Sequence, residues 1–266
     1  MTNFAMKNRG FTLLELVIVL ALISISALIG LRFISNMAYS QVANAERSQA
    51  LSGARFAIER LRRELSEAYS PSVYVDNIEA GAPEHCIYFV PVAGAGTYSG
   101  QAKDSTATFF WPARLSAATP TDMNMAINAP SVTASSSDAW RHYPAGTLPD
   151  NVASLSSALP AADSFIFADL FSTQTASPFV FDSAKQRYTL LKQQQLRFCL
   201  NSDTLIREVR SGSDWQERSV MLTGLTNTKV FGSYNQSSQL ITVDFTLKTR
   251  DGDLVLSSQL QVGYEP

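Results

Sequence analysis

Few side chains in this sequence are placed to do chemistry. His85 and His142 are the only two histidines. They are too few for a paired-histidine metal site, and no nucleophile with a local base or phosphate-cradling glycine loop accompanies them. Asp251 and Asp253 flank Gly252, but two carboxylates fall short of the six to eight oxygens that calcium takes, so they read as a turn. Cys86 and Cys199 lie far apart and cannot form a zinc cluster of closely spaced thiols, which leaves one disulfide or two free thiols. The sequence therefore predicts no enzyme and no cofactor. The unusual group is Glu15, a carboxylate inside the apolar run FTLLELVIVLALISISALIGL of residues 11–31. An ionisable group within a membrane helix costs roughly 2.5–3.5 kcal/mol on insertion scales, so its presence implies a function.

The element that positions Glu15 is this run itself, which is about the length needed to cross a bilayer as a helix. The leader MTNFAMKNRG precedes it, and its Lys7 and Arg9 belong on the cytoplasmic side under the positive-inside rule. That orientation makes the protein single-pass in the inner membrane, with a periplasmic C-terminal bulk. An ordinary secretory signal has a shorter apolar stretch followed by a small-residue cleavage site, and neither is present. With a net charge of -2 and a pI near 5.7, the chain has no electrostatic footprint for nucleic acid.

The junction Arg9-Gly10-Phe11-Thr12-Leu13-Leu14-Glu15 resembles the class III prepilin signal of type IV pilins and type II secretion pseudopilins. The resemblance implies cleavage between Gly10 and Phe11 by a prepilin peptidase and N-methylation of Phe11. It also implies pairing of Glu15 with the terminal ammonium of a neighbouring subunit on assembly. No proline interrupts residues 11–70, so the membrane helix is expected to continue as one stem as far as Pro71. Ile58, Leu61, Leu65 and Ala68 recur at helical spacing and should bury against a head. Arg55 with Glu59, Glu59 with Arg63, and Arg60 with Glu64 are spaced to pair on the opposite face.

Past Pro71 the pattern changes to short runs rich in β-branched and aromatic residues, at 72–75, 86–92 and 106–111. From about 113 to 163 the chain is dominated by Ala, Ser, Thr, Pro and Asn and reads as a loop-rich insertion. Within it Trp140, His142 and Tyr143 are expected to anchor the loop, with glycan contact as the other option. Strands are then expected at 164–168, 187–191, 195–200, 204–209, 229–234, 240–248 and 254–262. Asn201-Ser202-Asp203 and Arg250-Asp251-Gly252-Asp253 serve as hairpin connections. In an oxidising periplasm a Cys86–Cys199 disulfide is the favoured state of the two thiols.

The predicted fold class is α+β and type IV pilin-like: a long N-terminal helix packed on an antiparallel β-sheet head with a loop-rich insertion. The expected parts are a leader (1–10), a transmembrane and polymerising half-stem (11–33), a periplasmic half-stem (34–70) and a head (71–266). Stem sequence RFAIERLRRELSEAYSPSVYV with HCIYFVPVAGAGTY and LRFCLNSDTLIREV resembles the O-type minor pilin of mannose-sensitive haemagglutinin (MSHA) pilus systems. It is also similar to J-type minor pseudopilins of type II secretion. The resemblance implies a minor subunit that initiates or caps a pilus used for surface attachment. Its implied partners are the peptidase, other minor and major pilins and the inner membrane. The alternatives are a secretion pseudopilin and a tip adhesin whose Trp140 and Tyr143 meet a glycan.

Overall fold

The computed structural model describes residues 12–76, 84–112, 115, 123–133, 135, 137–156, 163–172 and 176–263. Gly10 and Phe11 lie outside the described residues. In chain order the elements are α1 (Leu13–Ser66), β1 (Tyr74–Val75), β2 (Glu84–Phe89), β3 (Val92–Ser99), β4 (Thr108–Phe110), β5 (Met123–Ala126), α2 (Ala139–His142), β6 (Val152–Ser154), β7 (Ser164–Ile166), α3 (Phe167–Leu170), β8 (Arg187–Lys192), β9 (Gln195–Asn201), β10 (Thr204–Arg210), β11 (Trp215–Leu222), β12 (Leu240–Thr249) and β13 (Gly252–Gln261). A long N-terminal helix with antiparallel sheets is the α+β, type IV pilin-like architecture expected from the sequence.

Two compact units divide the chain, Met1–Gln49 with Thr249–Asp251 and Ala50–Lys248 with Gly252–Pro266. In the first unit the large apolar side chains of α1 stay exposed, Leu14 and Phe33 each at 69%. Glu46 pairs there with Arg250 at 3.0 Å, and both are open enough to water that the contact contributes at most about 1 kcal/mol. In the second unit α1 changes character. Ala54, Ala57, Ile58, Leu61 and Leu65 follow the helical period and bury in a core with Phe89, Phe198 and Phe245. Glu64 is fixed rather than solvated: Arg60 lies 2.5 Å away, and Nε of Arg207 on β10 donates to both its oxygens at 2.9 Å. Glu59 pairs with Arg62, three residues on, instead of a residue four away.

Among the described residues the second unit contains three sheets rather than one. The first has the order β1-β2-β9-β10-β11, the second β6-β5-β8-β3-β4-β7, and the third is β12-β13. β2 and β9 are neighbours in the first sheet, with Cys86 opposite Cys199, yet every strand of the second sheet lies between them in sequence. The second sheet is thus an insertion between two adjacent strands. Composition suggested loops at 113–163, but β5, α2 and β6 fall there, and β5 pairs with β8 from Met123↔Lys192 to Ala126↔Thr189. All four residues of β5, Met123 to Ala126, are buried, so no exposed polar face marks the strand. This layer has its own core, in which Phe109 meets Tyr188 edge to face at 5.5 Å. Gly96 is required there, because a Cβ would lie 2.6 Å from the Tyr188 ring.

Residues 229–234, expected as a strand, contribute only an isolated bridge, Phe231↔Val243. The backbone there is engaged elsewhere: the amides of Val230 and Phe231 donate to Nδ1 of His85 at 3.2 and 3.5 Å. The expected hairpins form, with Ser202 at φ 57° between β9 and β10 and Gly252, the first residue of β13, at φ 120° after the turn from β12.

Candidate functional site

Thr12 starts α1. Its hydroxyl accepts the Glu15 backbone N–H at 3.3 Å, and its carbonyl accepts that of Leu16 at 3.2 Å. These bonds satisfy donors that a helix N-terminus otherwise leaves orphaned. The sequence signal was the spacing Thr12-x-x-Glu15, a capping-box pattern the sequence reading passed over. Glu15 is thereby held in the first turn, where the helix dipole favours a carboxylate, and it is exposed among exposed Leu13, Leu14 and Leu16. Among the described residues no cation pairs with Glu15 on the apolar, uncovered surface of its helix.

Cys86 and Cys199 form a disulfide between directly opposed residues of β2 and β9, each 1% exposed. The bond closes a loop with a sequence separation of 113, and that loop contains the whole second sheet.

Trp140 and Tyr143, the alternative glycan contacts, are each 1% exposed and cannot meet a sugar. Their polar ends are consumed internally: Trp140 Nε1 donates to the Pro130 carbonyl and the Tyr143 hydroxyl to that of Lys192, both at 2.8 Å. Arg210 completes the anchor, its Nη2 donating to the carbonyls of Arg141 and Tyr143 at 2.8 and 2.7 Å. Loop anchoring is therefore their role, and the adhesin reading based on them is corrected. His85, 1% exposed, is a latch on the 230–231 backbone, and burial pushes its pKa below the ordinary value. Asp251 and Asp253 lie at the β12–β13 turn.

Among the described residues α1 is the one helix long and apolar enough to cross a membrane. Residues 5–31 match the family model described as the prokaryotic N-terminal methylation motif. No curated protein and no solved structure matches the chain. The motif and the architecture together support a type IV pilin- or pseudopilin-like subunit, a class of structural subunits that is generally non-enzymatic. For a pilin-like chain such a signal implies processing by a prepilin peptidase, membrane anchoring and assembly with other pilins. Glu15 falls within the matched residues, as do Gly10 and Phe11.

Proposed function

We propose that this chain is a minor pilin that initiates or caps a type IV pilus of the MSHA kind and contributes to surface attachment. The reading rests on one observation, the methylation motif over residues 5–31 leading into a helix whose apolar surface is uncovered and bears Glu15. The peptidase cuts between Gly10 and Phe11 and methylates the new terminus. The stem anchors the subunit in the inner membrane with its head in the periplasm, until Glu15 pairs with a neighbour's terminal ammonium and the subunit enters the filament. A buried charge gains its partner only when subunits meet, which couples extraction from the membrane to assembly.

The head favours a minor role. A second six-stranded sheet with its own core adds bulk that a tightly packed shaft would have to accommodate at every repeat. The stem and strand motifs shared with J-type pseudopilins support a second reading, a short periplasmic secretion filament; loss of secretion rather than piliation on deletion would select it.

The deciding experiment is the N-terminal sequence and mass of the protein purified from membranes with and without prepilin peptidase. A chain beginning at methylated Phe11 only when the peptidase is present is the expected result. An uncut Met1 terminus in both strains overturns the reading.

A further inference from the structure

Single apolar side chains on a protein surface are ordinary, but two in succession on an immobilised loop mark a contact surface. Val180 and Phe181 are such a pair, 62% and 63% exposed on the loop that precedes β8. Their backbone is held by Asn151, itself 2% exposed. Asn151 Oδ1 accepts the amides of Val180 and Phe181 at 2.6 and 3.3 Å, and its Nδ2 donates to the Phe181 carbonyl at 3.0 Å. On one side of the pair Phe179 is buried against Phe171 at 5.5 Å, and Phe171 against Phe167 at 4.8 Å. On the other, Asp182 accepts the Ala102 amide at 2.7 Å and the Tyr98 hydroxyl at 3.3 Å. The pair is thus pinned from three directions with its side chains outward, and little ordering entropy is left for a partner to overcome.

The loop stands at the end of the second sheet remote from the first. β3 starts and β8 ends where the chain leaves and rejoins the first sheet, and there the Lys192 amide donates to the Pro91 carbonyl at 3.1 Å. β3 then runs eight residues, about 26 Å, to the far end, where the Tyr98 amide donates to the Gln186 carbonyl at 2.9 Å. Two exposed lysines flank the pair at that end. Lys185 is four residues beyond Phe181, and Lys103 lies on the turn fastened to Asp182, its amide 3.4 Å from Asp182 Oδ1. Asp182 turns inward onto these donors, so the outward charge of the two segments is Lys103 and Lys185 against Asp104.

We propose that Val180 and Phe181 form a membrane-docking tip, whose occupant is the anionic face of a bilayer other than the one holding the stem. A bilayer accepts an apolar tip without a shape-matched pocket, and its anionic headgroups attract the flanking lysines. The remote position favours a second bilayer, since the first sheet is the one that packs on the stem. The inference goes beyond the minor-pilin reading and names the kind of surface that the head would meet.

The test uses the full chain held by its stem in neutral-lipid nanodiscs. Cys86 and Cys199 are bonded to each other, so Ala184→Cys on the same exposed loop supplies a single thiol for a polarity-sensitive dye. Added vesicles of phosphatidylcholine with phosphatidylglycerol are expected to bind the nanodiscs in flotation and to shift the dye emission to the blue. Val180→Ser with Phe181→Ser should reduce that binding at least tenfold at an unchanged thermal midpoint, because both side chains face water. Lys103→Gln with Lys185→Gln should bring it down to the level of pure phosphatidylcholine vesicles, and high salt should do the same. Transfer of the stem between bilayers would not follow either pair of substitutions. Three outcomes overturn the proposal: no vesicle binding, binding indifferent to the serine substitutions, or a blue shift before vesicles are added, which gives the tip to the stem's own membrane. Loss of co-purifying pilins in the serine variant without any vesicle binding also overturns it and gives the tip to a protein. The minor-pilin reading fails separately, on an uncut N-terminus.

Discussion

At the scale of residues, Glu15 and His85 carry opposite lessons. On the proposed function, Glu15→Ala removes a charge whose partner comes from another subunit. The expected result is unchanged or easier membrane insertion, measured by carbonate extraction, with loss of surface filaments by microscopy; wild-type piliation in that mutant would refute the pairing role. Glu15 was legible in the sequence because an acid in an apolar run breaks the pattern around it. His85 was not legible, since nothing in HCIYFVP says that its imidazole will hold a segment 145 positions away. Its Nδ1 accepts two amides and its Nε2 is buried without a hydrogen-bond partner among the described residues, so a second proton must displace those bonds. Burial first, and Lys229 second, hold the folded pKa below the ordinary 6.5. The sign follows. As pH falls through the unfolded value, the unfolded chain takes up the proton before the folded one, so stability declines below 6.5 until the folded imidazole also protonates. Denaturant midpoints at about pH 7.5 and about pH 5.5 should differ in the native protein and converge in His85→Gln.

At the scale of elements, the stem was readable from end to end because a proline-free run with a 3.6-residue apolar period has few alternatives. Ile58, Leu61 and Leu65 bury as that period requires, while Ala68 buries past the end of α1, in a bridge to Pro91. Leu61→Ala should cost about 2–5 kcal/mol in denaturant unfolding, whereas exposed Arg63→Ala should change little. A cost for Leu61→Ala near zero would mean that the stem does not carry the core. Strands β8 to β10, β12 and β13 were legible from their runs of branched and aromatic residues. β5 was missed because a strand buried on both faces tolerates Met, Asn and Ala, so the alternation that marks a half-exposed strand is lost, and β6 because three residues are too few to show a pattern. β11 was missed for a different reason: Trp215, Val220 and Leu222 are diluted by polar neighbours on an edge that faces water.

For the whole molecule, topology was the part hidden from sequence. Composition located an insertion at 113–163, but pairing runs through strands from both sides of it, so the inserted layer extends over β3 to β8. Only long-range register shows that β2 and β9 are neighbours and that the disulfide therefore closes the neck of that layer. Reduction, or Cys86→Ser with Cys199→Ser, should lower stability by about 4 kcal/mol on the chain-entropy model. Thermal unfolding with and without reductant checks this, and equal midpoints would remove the stapling role.

The same neck has a mechanical consequence. A filament under tension passes load along its subunits, and a load path that enters at Cys86 and leaves at Cys199 crosses the covalent bond instead of the intervening chain. The inserted layer is then sheltered: it contributes no slack even if its strands part. With the bond reduced, the same stretch could pay out roughly 400 Å, at 3.3–3.6 Å per residue over a separation of 113. In single-molecule pulling, that length should appear as extra contour only under reducing conditions, so the redox state of one buried bond sets how far this head can yield before the chain is fully drawn.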